Sequence, residues 1–347
     1  MQAVVKPGPG PGMEVREVPT PICGPSDVLI RVHRAGVCGT DLHIWEWDAW
    51  ANGRLRPPLV IGHEFAGTIV ALGPEAAAEE LLAVGEKVTA EGHLVCGHCL
   101  QCRTGMSHLC ARTRIIGVDR DGAFAEFIAM PASNVIKLDG IPLEIGAIMD
   151  PVGNAVHTVL EGDEVSGSTV FVLGCGPIGC FACGVAKAAG ASLVVASDLL
   201  DMRLELARTM GADIVINAAR EDVLARIHEL TSGEGVDLVC EMSGHPDGHR
   251  QALSAARAGG RVNLLGTPSQ PTEINFARDV IFKGLTLYGV TGRKMYSTWQ
   301  QMVRLIRSRQ LDPEPVITHR FPLDQIGEAI SVIKDGKAGK VILEVAG

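Results

Sequence analysis

The chain has 347 residues, 46% of them hydrophobic and 20% charged, which suits a soluble globular protein of two domains. Its 31 basic residues stand against 40 acidic ones, a net charge of −9 that argues against a nucleic-acid-binding surface. The opening MQAVVKPGPGPGMEV is too polar and too broken by Gly and Pro for a signal peptide, and no run of about 18 apolar residues marks a membrane span. Ten cysteines without a secretory segment point to a reducing, cytoplasmic setting with metal-bound or free thiols.

Residues 1–150 read as an irregular, mainly β domain. The Val- and Ile-rich runs DVLIRVHRAGV (27–37), EFAGTIVALG (64–73), EKVTAEGHLV (86–95) and FAEFIAM (124–130) are bounded by Gly or Pro, and no long helix is expected there. Trp45, Trp47 and Trp50 cluster in one stretch, which suits a cleft wall, an interface or a surface ridge. Within a lobe at about 92–112, Cys96, Cys99, Cys102 and Cys110 form C-x2-C-x2-C-x7-C. Four thiolates at that spacing can close a tetrahedron around one zinc and leave no position for substrate, whereas Cys-x2-Cys is awkward for a disulfide. His93 and His98 are expected to hydrogen-bond within this loop.

After residue 150 the pattern changes. Apolar strands at 169–174, 193–198, 211–217, 236–244, 260–266 and 285–290 alternate with helical stretches, which predicts a parallel sheet covered on both faces. Gly174-Cys175-Gly176-Pro177-Ile178-Gly179 follows the first strand and opens a helix, the context that makes G-x-G-x-x-G a dinucleotide fingerprint. The glycines permit the turn, backbone approach to the pyrophosphate, and close packing of the helix whose N-terminus faces the phosphates. Asp198 ends the next strand, about twenty residues on, where an acid binds the ribose hydroxyls and disfavours a 2′-phosphate, so NAD is expected. Asp198 could instead cap the following turn. Arg203 could stack on adenine or lie on a solvated helix face, and Cys180-x2-Cys183 is read as small, half-buried helix residues, not a redox pair. From about 291, a helix (STWQQMVRLIRSRQ) and a last strand are read as chain returning to the first domain.

Cys38, in CGTDLH just after a strand, and His63, in GHE, are N/S ligands suited to a second zinc, with Glu64 or a more distant acid completing the set. Three protein ligands and an open position would make that metal catalytic. CGTD near 40, GHE near 63, the cysteine quartet and the glycine motif together resemble the zinc-dependent medium-chain alcohol dehydrogenases over nearly the whole chain. CGTDLHIWEWDAW, PPLVIGHEFAG, GVDRDGAFAEF, DPVGNAVHT and ITHRFPL place it nearest the branch that oxidises the secondary hydroxyl of L-threonine.

The resemblance implies an α/β protein: a GroES-like catalytic domain (1–150), a doubly wound Rossmann NAD-binding domain (151–290) and a return segment (291–347), usually in a homotetramer. It implies two Zn²⁺ per chain, one structural on the four cysteines and one catalytic on Cys38, His63 and Glu64, with NAD as cofactor. Thr40 and His43 would relay the proton, and Asp150 would ligate the catalytic zinc or assist proton transfer. Leu265, Gly266, Thr267, Val290, Thr291 and Arg293 complete the candidate cofactor contacts, although Arg293 also reads as a solvated surface arginine. His157 is expected to pack, not react. The implied reaction is zinc-assisted ionisation of the threonine hydroxyl and hydride transfer to NAD, giving 2-amino-3-oxobutanoate, which a downstream enzyme would consume. A polyol or diol dehydrogenase of the sorbitol or butanediol type is the alternative, and a non-catalytic NAD-binding relative is the third reading. Neither a nucleic acid nor a membrane is expected as partner.

Overall fold

The computed structural model describes residues 1–345, which form two compact units: Met1–Asp150 together with the chain from Ile317 onward, and Pro151–Val316. The first unit is built on a seven-stranded sheet. Val135–Lys137, Lys87–Ala90, Glu64–Leu72, Asp27–Val37, Lys340–Glu344 and Ile317–Pro322 lie in that order, and Phe127–Pro131 also pairs with Asp27–Val37. Gln2–Lys6 sits between Glu14–Glu17 and Leu59–Val60 in a smaller sheet. Val28, Ile30, Val32, Phe65, Ile69 and Val341 fill the core, as expected for strands rich in β-branched residues.

Register places the chemistry. Gly36 pairs with Glu64 and Val37 with Val341, so the last strand brings its first residue, Lys340, beside residues far away in sequence. A side chain at Gly36 would collide with the Glu64 carboxylate, which is why this strand position has no Cβ. The run 86–95, expected as one strand, is broken into Lys87–Ala90 and His93–Leu94. Glu91 causes the break: its backbone bonds Asn134, and its carboxylate turns to accept from the His93 N–H at 2.9 Å.

The second unit carries six parallel strands in the order Ile214–Asn217, Leu193–Asp198, Thr169–Leu173, Val236–Glu241, Ala256–Leu264, Thr286–Gly289. Counted along the chain this is 3-2-1-4-5-6, the doubly wound order whose switch point lies between the first and fourth strands. Consecutive residues of the central strands are buried, as sheets covered on both faces require. The return to the first unit begins at Ile317, not near 291. Helix Ser297–Arg307 stays in the second unit because it buries Trp299, Met302 and Val303 on one face.

Candidate functional site

The sulfurs of Cys99 and Cys102 are 3.5 Å apart, those of Cys99 and Cys110 3.8 Å, and those of Cys110 and Cys96 3.6 Å. A tetrahedron of Zn–S bonds near 2.3 Å has edges of about 3.8 Å, so the spacing fits one zinc. All ten cysteines are free thiols, and the quartet is held by local backbone: the Arg112 N–H donates to Cys110 Sγ at 3.4 Å. Backbone hydrogen bonds, first at Cys96 and then from Arg112, hold the Cys110 thiol down at about 6. His98 stands outside the group, bonded to the Cys96 carbonyl at 2.6 Å and to Arg112 at 3.0 Å.

Cys38, His63 and Glu64 offer one ligand atom each within 4.8 Å of one another. Cys38 is the N-cap of helix Gly39–Glu46, and its N–H donates to the buried Asp41 carboxylate at 2.8 Å, which pins the turn carrying the thiol. Gly62, at φ 94°, turns the chain into the strand that begins at Glu64. His63 Nδ1 is buried and makes no hydrogen bond, and the ring bonds the Cys38 thiol, so the imidazole is held against the first donor of the group. Burial pulls the His63 imidazole down, but Cys38, Asp41 and Asp150 outweigh it and raise its pKa to about 10. The pocket is thus built to hold positive charge. These residues fit a second zinc, with two soft or borderline donors and one carboxylate.

Sequence reasoning missed two partners, Lys340 and Glu91. Lys340 is buried and bridges Glu64 and the Val37 carbonyl, at 2.7 and 2.8 Å. Asp150 groups with Glu91 and His93, again within 4.8 Å, and its charge also acts on His63 and Glu64; His93 Nδ1 lies 2.7 Å from Glu91. His93 therefore keeps its expected bond within the loop and also stands beside Asp150. Lys340 could be found only from strand pairing, because the sequence separates it from Glu64 by most of the chain. The E-x-H pattern at Glu91 was a usable local signal.

In the second unit, Gly174 at φ 95° makes the turn after the first strand. A Cβ on Gly179 would strike the Gly174 carbonyl, whereas one on Gly176 would meet no protein atom within 4 Å. Helix packing thus demands the third glycine, and ligand space surrounds the second. A cavity of about 610 Å³ joins Gly174, Gly176, Asp198 and Arg203 to Ser243, His245, Asp247 and Gln251. The last four follow the fourth strand, on the far side of the switch point, where the topology rule would have located them. Asp198 accepts from the Cys175 N–H at 2.8 Å and the Leu200 N–H at 3.0 Å, with Arg203 at 3.7 Å. It caps the following turn and lines the cavity at once.

Leu265 and Gly266 donate backbone N–H groups to the Glu241 carbonyl at 3.1 Å, and the exposed Thr267 follows them. Val290 is buried and bonds the Leu264 carbonyl at 2.9 Å, with Thr291 exposed after it. These residues stand at the carboxyl ends of the fifth and sixth strands but do not line the same cavity. Arg293 is not a solvated arm. It is buried, bonds Asn154 at 3.1 Å, packs on Gly153 and lies 5.5 Å over the Trp299 ring, so it ties together elements of the second unit. His157 is buried and bonds the Gly292 carbonyl at 2.8 Å. Cys180 and Cys183 lie in the buried face of helix Pro177–Ala188, and burial raises both thiols, Cys180 to about 12. Thr40 and His43 share helix Gly39–Glu46, and His43 is exposed.

Comparison with known proteins agrees with this geometry. A family model described as zinc-binding dehydrogenase matches residues 177–308, and one described as alcohol dehydrogenase GroES-like domain matches 24–140. The chain is 48% identical to a Bacillus licheniformis protein named L-threonine 3-dehydrogenase, over 99% of this chain and 98% of that one. It is 48% identical to a Symbiobacterium thermophilum protein of the same name, over 99% and 97%. An alcohol dehydrogenase from Thermus sp. ATN1 superposes with a TM-score of 0.91 at 33% identity, covering 100% of both chains. With both zinc-ligand groups assembled and the nucleotide-binding sheet in its expected order, the chain belongs to the zinc-binding dehydrogenases of the alcohol dehydrogenase family, GroES-like in its first unit and Rossmann-like in its second.

Proposed function

We propose that this chain oxidises the secondary hydroxyl of L-threonine with NAD, releasing 2-amino-3-oxobutanoate. The observation that carries the substrate is near full-length similarity, at 48% identity, to relatives named for that activity. The chemistry rests on the buried group Cys38, His63 and Glu64, which would hold the catalytic zinc, while Cys96, Cys99, Cys102 and Cys110 would hold a structural one. Bound zinc supplies a Lewis acid that acidifies a hydroxyl, and bound NAD supplies the hydride acceptor.

The remaining steps belong to side chains of this protein. Thr40 takes the hydroxyl proton and hands its own to His43, whose exposed ring passes it to water. Asp150, with His93 beside it, adds negative charge near His63 and helps move the proton. Gly174, Gly176, Pro177, Ile178 and Gly179 seat the pyrophosphate, and Asp198 takes the ribose hydroxyls, with Arg203 on the adenine side. The loops at 265–267 and 290–291 close on the nicotinamide half. Assembly as a homotetramer, a reducing cytoplasmic location and a downstream enzyme for the unstable keto acid accompany this reading.

Initial rates with NAD on L-threonine, sorbitol and 2,3-butanediol test the proposal. Threonine should be preferred, and a preference for either polyol would replace it with the diol-dehydrogenase reading.

A further inference from the structure

Between helix Gly39–Glu46 and helix Ala49–Arg54 the chain reverses through Trp47, a non-glycine residue in the left-handed region at φ 56°. Such a conformation persists only where its surroundings enforce it. Here they do. Lys6 is buried, donates Nζ to the Gly10 and Gly12 carbonyls, and stands 5.0 Å over the Trp47 ring. The Gly12 N–H donates to the Trp45 carbonyl at 2.8 Å, so the Gly-Pro loop is latched onto this turn.

The residue the turn delivers is Asp48, whose two carboxylate oxygens do different work. Oδ1 accepts from the Ala51 N–H at 2.9 Å and caps the second helix, while Oδ2 lies 2.6 Å from His43 Nδ1. The Asp48 N–H also donates to the His43 carbonyl at 3.3 Å, and the Trp50 ring stands edge-on to the imidazole at 6.0 Å. Burial pushes the Asp48 carboxyl up, but the Ala51 bond and the bond and charge of His43 together outweigh it, and the group lies below its ordinary value.

An ionised carboxylate accepts and cannot donate, so neutral His43 must carry its proton on Nδ1, and Nε2 is left as the base. We infer that Asp48 is a positioning residue of the proton relay, selecting the His43 tautomer and ring orientation in which Nε2 faces the proton delivered by Thr40. The inference rests on the relay role of His43 proposed above. The substrate hydroxyl proton passes to Thr40, the Thr40 hydroxyl proton passes to His43 Nε2, and the imidazolium releases one proton to water. Asp48 remains ionised throughout.

Asp48→Asn separates the two jobs. Asparagine caps a helix as well as aspartate does, but its amide N–H facing Nδ1 favours the tautomer with Nε2 protonated. Full-length Asp48→Asn, His43→Ala and the double variant are compared with the parent for kcat, KM of threonine and NAD, zinc content and Tm. Asp48→Asn should lower kcat by roughly 10- to 100-fold, with both KM values within about twofold and Tm and zinc unchanged. The double variant should then be no slower than His43→Ala alone. If His43→Ala leaves kcat unchanged, the relay reading fails and takes this inference with it. If His43→Ala is slow but Asp48→Asn matches the parent, the inference alone fails. It fails equally if the two effects multiply, or if the Asp48→Asn loss comes with a lowered Tm and raised KM values, which would reduce Asp48 to a structural cap.

Discussion

Lys340 Nζ lies 2.7 Å from one oxygen of the Glu64 carboxylate and 2.6 Å from the other, with both side chains buried. Two taxes of burial oppose each other there. Desolvation, with the charge of Asp150, leaves the Glu64 carboxyl above its ordinary value despite Lys340, while the Glu64 charge and bond hold the Lys340 ammonium above its own despite burial. Removing one partner leaves a buried charge without its complement, which costs about 3–5 kcal/mol. Lys340→Met should therefore lower the denaturation midpoint strongly, and Lys340→Met with Glu64→Gln should recover part of the loss. Equal stability of Lys340→Met and the parent in urea unfolding would show that the pair contributes nothing.

Removal of the structural metal should unfasten a lobe and leave the Cys38 group intact. Cys102→Ser is expected to reduce zinc from two per chain to one and to lower Tm by roughly 10 °C, since metal binding there is folding free energy. Metal analysis and a thermal melt on the same sample check this. An unchanged Tm at one zinc per chain would mean that the lobe folds without its ion.

Asp198 has two jobs that one substitution pair can separate. Asp198→Asn keeps an acceptor for the Cys175 N–H but loses the charge, and Asp198→Ala loses both. If the carboxylate binds ribose hydroxyls, both variants should raise KM for NAD by about 10-fold or more and narrow the preference over NADP. A normal cofactor ratio in Asp198→Asn would confine the residue to bracing the glycine turn.

Asp237 provides a pH test away from both metal groups. Its carboxylate accepts from the Thr169 N–H and hydroxyl, both at 2.7 Å, and from Arg257 Nε at 2.6 Å. Burial raises this carboxyl, but the Thr169 and Arg257 bonds outweigh it and the pKa is lowered. A depressed folded-state pKa adds stability that is complete above the unfolded value near about 4 and is lost as pH falls through the folded one. Asp237→Asn should thus be less stable than the parent at pH 7, and the gap should shrink as pH drops below about 4. A gap independent of pH in urea unfolding would exclude the charge as its source.

Local chemistry was legible without coordinates. The cysteine spacing, the glycine turn between a strand and a helix, and Asp198 at a strand end are set by neighbours a few to about twenty residues away. Their structural outcome follows from backbone geometry alone. The break at Glu91 and the return at Ile317 were not legible. A buried carboxylate redirecting its own strand, and a helix kept by the apolar face of Trp299, depend on what packs against them.

By itself the sequence determined the fold class, the cysteine quartet and the nucleotide turn, because metal coordination and tight turns require particular residue types at short, fixed spacings, whereas the set Cys38, His63 and Glu64 came from the family resemblance. Tertiary structure alone decided that Lys340 meets Glu64, that Asp150 joins Glu91 and His93, and that Arg293 is buried on Gly153. Those contacts are products of strand register and packing, which join residues that no spacing rule connects.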